Sequence, residues 1–193
     1  MRPIFNWILV IVYSMTFGVS VAQADEIKFQ KVNLRAVEKA WVLDADVSLE
    51  LTPALEQLVN KGVTLHFVTE FQLTKNRWYW FDAKTVEVQR ISKISYQALT
   101  NQYRVTLGSF TLNAANLKQA IAAVKTIEDW TVIELAGIEQ NQSYQAAVRM
   151  RLDTNQFAKP FQVNAINSKS WNLQSDWQRF EFKPKSLING VNP

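Results

Sequence analysis

The chain has 193 residues and a formal net charge of +4, and its 48% hydrophobic and 20% charged residues are typical of a folded globular protein. It contains no cysteine and only one histidine, His66. This composition excludes disulfides, thiolate metal sites, cysteine nucleophiles and multi-histidine metal sites, and only His66 is available for a Ser-His-Asp triad. We expect no cofactor and no metal. Because the basic residues are scattered, we also expect no nucleic-acid partner.

The first 24 residues have the three parts of a secretory signal. Arg2 supplies the positive charge, Ile4 to Val12 form an apolar run, and Ala22-Gln23-Ala24 supply a small-residue cleavage site. We therefore predict cleavage before Asp25 and a periplasmic location. The alternative is an uncleaved anchor in the inner membrane, since residues 4–22 approach the length that a bilayer requires.

The rest of the chain is dominated by alternation of apolar and polar residues, which predicts half-buried β-strands. The clearest cases run from Trp41 to Leu51, from Val63 to Leu73 and from Tyr144 to Leu152. One-face alternation is typical of antiparallel sheets. We expect a single domain over residues 25–183, followed by a flexible tail over 184–193 that lacks periodicity. Further strands are predicted over residues 27–34 (with a bulge), 86–96, 102–107, 130–135 and 179–182.

Two helices are predicted between the strands. Thr52-Pro53 has the pattern of an N-cap followed by proline at the first helical position, and Gly62 supplies the end. Asn113 is the predicted cap of the second helix, in which apolar residues recur at helical spacing from Leu117 to Ile127. A third short turn is considered over residues 170–177. The predicted fold is mainly β (α+β), an antiparallel sandwich or a strongly curved antiparallel sheet with two helices.

The most unusual stretch is Arg77-Trp78-Tyr79-Trp80-Phe81-Asp82, because consecutive aromatic residues place large rings on both faces of a strand. A helix or loop that covers the second face is the structural explanation. The functional alternative is an exposed aromatic platform for sugar rings, an apolar ligand or a partner's side chains. The candidate binding residues of this stretch are Arg77, Trp78, Tyr79, Trp80 and Asp82.

Charged pairs on the polar strand faces are the other candidates. Arg149 and Arg151 share one face, where they suit recognition of a carboxylate or phosphate, or else pair with a cross-strand acid. Asp44 and Asp46 also share a face. They are interpreted as a glycosidase carboxyl pair, as a cation site or as ordinary surface acids. His66 is interpreted as a surface histidine. Among enzyme signatures, the chain lacks the nucleophile elbow, the Walker loop, the Gly-rich dinucleotide loop and the zincin motif.

Three long segments carry a resemblance to a known family: HFVTEFQLTKNRWYWFDAK (residues 66–84), SYQALTNQYRV (95–105) and RMRLDTNQFAKPFQVNAINSKSWNLQSDWQRF (149–180). They resemble an uncharacterised proteobacterial family of signal-peptide-bearing proteins, catalogued as a domain of unknown function. The resemblance implies an exported single-domain protein and supplies no catalytic residue. Genes of the family often lie beside that of a membrane-bound nitrogen-type sensor kinase, which implies an accessory role in envelope sensing.

The leading functional hypothesis is an exported, non-catalytic interaction module of the bacterial envelope that contacts an envelope or membrane-sensor protein. Its contacts would lie at residues 77–82 and at the face of Arg149 and Arg151. The first alternative is a periplasmic carrier of a lipid or other apolar ligand. The second is an envelope glycan hydrolase that uses acids such as Asp44, Asp46, Glu70 or Asp82.

Overall fold

The structure, a computed structural model, describes residues 27–75, 83–134 and 137–184. The described chain forms two sheets in which every neighbouring pair of strands is antiparallel. The strands are β1 (Lys28–Val37), β2 (Ala40–Ser48), β3 (Leu65–Lys75), β4 (Ala83–Gln97), β5 (Gln102–Leu107), β6 (Phe110–Ala114), β7 (Thr126–Glu134), β8 (Tyr144–Leu152) and β9 (Gln178–Phe182).

The two sheets differ in size. The larger has six strands in the order β6-β5-β4-β3-β8-β9, and the smaller has three in the order β1-β2-β7. The prediction of an antiparallel, sandwich-like α+β fold is confirmed. The predicted bulge in the first strand is also present, as a register shift between Phe29 and Lys31.

The core lies between the two sheets, where the inward side chains of β2 and β7 meet those of β3 and β8. The alternation in β2 is confirmed, because Trp41, Leu43, Ala45 and Val47 are all buried. Towards one end, the indole of Trp41 packs edge-on against the ring of Phe182, with 4.8 Å between ring centroids. Towards the other end, the two sheets share their buried residues with the first two helices.

Helix α1 (Pro53–Asn60) begins as predicted, because the Thr52 hydroxyl accepts a hydrogen bond from the amide of Leu55. Gly62 follows its end with φ of +90°, a conformation that suits glycine. Helix α2 (Leu117–Lys125) corrects the predicted cap: Asn116 caps it, because β6 continues to Ala114 and keeps Asn113 in the sheet.

Other boundaries also differ from the prediction. The strand β6 was missed, and β7 begins at Thr126, directly where α2 ends, rather than at residue 130. A third helix, α3 (Lys159–Asn167), was not predicted, because its residues KPFQVNAIN carry no regular apolar stripe. A 3-10 turn over Lys169–Trp171 falls in the region of the suggested third turn. Within the described ranges, no helix has the length and hydropathy needed to cross a membrane.

Candidate functional site

The predicted binding residues divide into two groups. Arg77, Trp78, Tyr79, Trp80 and Asp82 lie outside the described residues, so the aromatic platform stays a prediction. Arg149 and Arg151 lie on β8, on the face of the large sheet that points away from the small sheet. Asp44 and Asp46 lie on the corresponding outward face of the small sheet, and they do not join the two arginines.

Arg149 and Arg151 are held by a single buried carboxylate. The Nε atoms of both arginines donate to Glu70, which stands directly across from Arg149 in the neighbouring strand β3. Arg151 also lies 3.4 Å from the carboxylate of Asp153, and the guanidinium of Arg149 lies 4.6 Å from the ring centroid of Trp177. This is the cross-strand pairing that the sequence left open. Both arginines have at least one acidic partner, which leaves them less available to a ligand.

A second ion-pair cluster lies on the outward face of the small sheet. Arg35 Nε donates to Asp44 Oδ2 at 2.6 Å, and Arg35 Nη2 contacts Asp129. The amide of Asp129 also donates to Asp44 Oδ1 at 2.9 Å. The hydrogen bond from Arg35 holds the pKa of Asp44 below its usual range. Asp44 is therefore poorly suited to act as a general acid, and this geometry does not support the glycosidase hypothesis.

His66 is more enclosed than the surface interpretation predicts. It lies on β3 beside Lys93 of β4, and its Nδ1 is buried with no hydrogen-bond partner among the described residues. Burial and the positive charge of Lys93 both lower the pKa of His66. Folding therefore favours the neutral form of the imidazole over the charged form.

The feature that the sequence analysis missed is a groove of about 580 Å³ between the two sheets. Its walls are three segments: residues 89–93 of β4, the β5–β6 turn over residues 106–109, and residues 129–131 of β7. Arg90 lies in this groove, on the inward face of β4, because it stands opposite the buried Thr69 of β3. Among the described residues, no carboxylate lies within ion-pair distance of Arg90 and no group hydrogen-bonds to it.

The charge of Arg90 is costly where it stands. Burial lowers the pKa of this guanidinium, and no acid within residues 27–75, 83–134 and 137–184 offsets the loss of hydration. A second cation, Lys93, and the indole-bearing residue Trp130 line the same groove. The carboxylate of Asp129 also borders it, but this group is already engaged by Arg35. The groove is therefore suited to receive an anionic group.

Two strand edges that no further strand covers among the described residues flank the groove. The hairpin strand β5 pairs with residues 92–97 of β4, and its turn also reaches Ile91, so residues 88–90 of β4 pair only with β3 in the part of the chain that the structure describes. On the opposite wall, β7 is the edge strand of the small sheet. A β-bulge distorts β7 there, because Glu128 and Asp129 together oppose Asp44, and Asp129 takes a φ of +50°. Strand edges of this kind can accept a further strand.

The sequence of β4 contains one signal for this site. In β4, Val86, Val88, Ser92 and Ile94 occupy the inward phase of the alternation, and Arg90 stands in that same phase. A charged residue in an apolar phase indicates either a partner or a function. No single sequence feature places Trp130 and Arg90 in the same groove, because their positions depend on how the two sheets pack.

Within residues 27–75, 83–134 and 137–184, no group of three or more acidic or histidine side chains is placed to hold a metal ion. The groove at Arg90 offers a ligand positive charge, an aromatic residue and open backbone edges.

Comparison with known proteins leads to the same family as the three resembling segments. The family profile described as "Domain of unknown function (DUF4390)" matches residues 24–181, which is most of the chain. Neither the curated proteins nor the solved structures contain a match. Because the profile covers far more than half of the chain, the protein belongs to the DUF4390 family of unknown function.

Proposed function

We propose that this protein is an exported, non-catalytic interaction module of the bacterial envelope, and that it binds a partner protein through the groove at Arg90. The observation that carries the proposal is a half-buried arginine to which the described residues supply no acidic partner, in a groove open to solvent. A half-buried charge lowers the stability of the free protein, and a bound partner with the opposite charge compensates that loss. The signal-like segment at residues 1–24 supports export to the periplasm.

An accessory role beside a membrane sensor fits this proposal. A periplasmic binding module needs only a surface that discriminates between partners, and a single desolvated arginine supplies such discrimination. The faces of Arg149 and Arg151 and of residues 77–82 remain candidate secondary contacts.

Site-specific photocrosslinking in living cells tests the proposal. A photoreactive amino acid replaces Ser109 in the groove or, as a control, the exposed Thr100 at the opposite end of β5. We expect a discrete protein adduct from position 109 and none from position 100, and mass spectrometry identifies the partner and shows whether the mature chain begins at Asp25. The adduct should disappear in Arg90→Glu and persist in Arg179→Glu, which makes the same charge change at an exposed site on β9. Equal adducts from both positions, or none from position 109, would contradict the proposal.

A second candidate function, carriage of an apolar ligand, is favoured by a different groove. This groove of about 520 Å³ lies between α1 and α2, and Leu49, Leu51 and Ile121 line it together with charged residues such as Glu56 and Lys125. Native mass spectrometry of the purified protein tests it. A lipid-sized adduct that is lost in Ile121→Glu would support the carrier, and a bare chain would refute it.

A further inference from the structure

The backbone beside Arg90 limits what kind of partner segment the groove can hold. The amide of Gly108 donates to the carbonyl of Ile91 at 3.0 Å, so the backbone groups of Ile91 point towards the β5 side of β4. In an antiparallel strand, every second residue directs its N–H and C=O to the same side. The N–H and C=O of Gln89 therefore also point to that side, beyond the end of β5, where the described chain provides no strand to meet them.

The side chains at this edge add charge selectivity. Arg90, the residue next to Gln89, projects towards the small sheet, and Lys93 lies further along the same strand. A segment that continued the sheet from the end of β5 would lie along Gln89 and pass beside the guanidinium of Arg90. Such a segment would gain main-chain hydrogen bonds from the edge and a charge-assisted hydrogen bond from the arginine.

We propose that the groove binds an extended, acidic segment of a partner protein, which adds as a strand to the free edge of β4 and places a carboxylate on Arg90. This inference rests on the proposed function and specifies the partner segment. Charge complementarity favours another protein over a second copy, because this chain carries a net charge of +4.

The experiment uses a phage-displayed library of random dodecapeptides, panned against the full-length mature protein. We expect the selected peptides to share an aspartate or glutamate flanked by β-branched residues, which favour the extended conformation. A synthetic peptide of the consensus should bind about tenfold more weakly, or worse, when its acid is replaced by the corresponding amide, because a hydrogen bond between charged groups is lost.

Variants of the protein then assign the contact. Arg90→Met keeps the aliphatic stem and removes the charge, and it should abolish the preference for acidic peptides, whereas Arg179→Met should leave it unchanged. Thermal unfolding of both variants verifies folding. Arg90→Met should be at least as stable as the parent, because it removes a half-buried charge that no acid among the described residues compensates. Bound peptide should also slow hydrogen exchange at the amide of Gln89, which a contact through side chains alone would not do.

Each outcome bears on the inference. Strand addition would be overturned if the library yielded no binders or if the selected peptides lacked an acid. It would also be overturned if binding survived Arg90→Met or if hydrogen exchange at Gln89 did not change. Millimolar inorganic phosphate provides a further test. If phosphate weakens binding of the consensus peptide as much as the acid-to-amide change does, the groove is a simple anion site, and strand addition is overturned. Association of the protein with itself that is lost in Arg90→Met would replace the foreign partner with a second copy. If strand addition fails while the crosslink from position 109 persists, the interaction module stands and only the identity of its ligand changes.

Discussion

Glu70 shows how charged residues can cover the outward face of a sheet. It is only 6% exposed, although β3 directs it away from the small sheet, and the neighbouring outward residue Val68 is also buried. The two arginines and Trp177 lie over this part of the sheet, and arginine stems can shield apolar surface while their heads reach water. The alternation of apolar and polar residues in β3 therefore predicts the inward face correctly. It overestimates the solvent exposure of the outward side chains.

Replacing Glu70 with glutamine should destabilise the protein by about 1–2 kcal/mol. The amide keeps the shape of the side chain but leaves two arginines, each with about a third of its side chain exposed, without their shared anion. Urea unfolding of the parent and of Glu70→Gln measures the difference. The matched control is Glu134→Gln, an exposed acid on β7, which should change stability by less than about 0.5 kcal/mol. Equal effects of the two substitutions would show that the Glu70 cluster contributes no more than a surface charge.

The enclosed His66 predicts a specific pH dependence of stability. Its pKa is lowered in the folded protein, so the unfolded chain binds the proton more tightly. The stabilisation is therefore complete above the unfolded pKa of about 6.5. It is lost progressively as the pH falls from there through the lower pKa of the folded protein. Because the chain has no other histidine, urea midpoints measured between pH 7.5 and 5.5 should fall with pH. One proton accounts for at most about 1.4 kcal/mol per pH unit.

His66→Gln removes the titrating group and should flatten this dependence. If the urea midpoint of His66→Gln fell with pH as steeply as that of the parent, the pH dependence would come from carboxylates instead. Asp44 is not a candidate in this range, because its pKa lies below that of an ordinary aspartate.

At the scale of the elements, the sequence was most informative where a single residue type decides the local conformation. The Thr52-Pro53 pair located the start of α1, because the cap and the proline act within one turn. The start of α2 was wrong by three residues, since Asn113 and Asn116 are equally good caps and only the pairing of β6 with β5 decides between them. Local chemistry thus predicts that a helix exists, and tertiary pairing sets where it begins.

The two caps should differ in their contribution to stability. Thr52 is 5% exposed, and its hydroxyl both accepts from the amide of Leu55 and donates to the carbonyl of Ser170 at 2.8 Å. The second bond ties α1 to the 3-10 turn over Lys169–Trp171. Thr52→Ala should therefore cost about 1–2 kcal/mol, and Asn116→Ala, at an exposed cap, about 0.5–1 kcal/mol. Urea unfolding measures both, and Thr52→Ser should restore most of the loss. A serine variant as weak as the alanine variant would mean that the methyl group, not the hydroxyl, is responsible.

At the scale of the whole molecule, the fold class followed from the alternation but the topology did not. Strand β2 pairs with β7 and β3 pairs with β8, and each of these pairs is separated by more than 60 residues of chain. No pattern within a strand encodes such a partner, because any antiparallel neighbour with the same apolar phase buries its face equally well. The groove at Arg90 escaped prediction for the same reason, since β4 and β7 meet only after these long-range pairings form.

The two sheets should nevertheless unfold as one unit. Each of the two core clusters contains buried residues from both sheets, such as Leu43 of β2 with Phe71 of β3, so neither sheet can open without exposing apolar surface of the other. In native-state hydrogen exchange, the slowest amides of β2 and β3 should therefore report the same free energy, equal to that of global unfolding. Amides of the edge strand β6, whose Phe110 and Leu112 are exposed, should open at lower cost. If β2 exchanged through a smaller opening than β3, the small sheet would be a separate unit that detaches from the larger one. A partner strand added at β4 should then protect the two sheets unequally, whereas in the cooperative molecule it raises the protection of both sheets together.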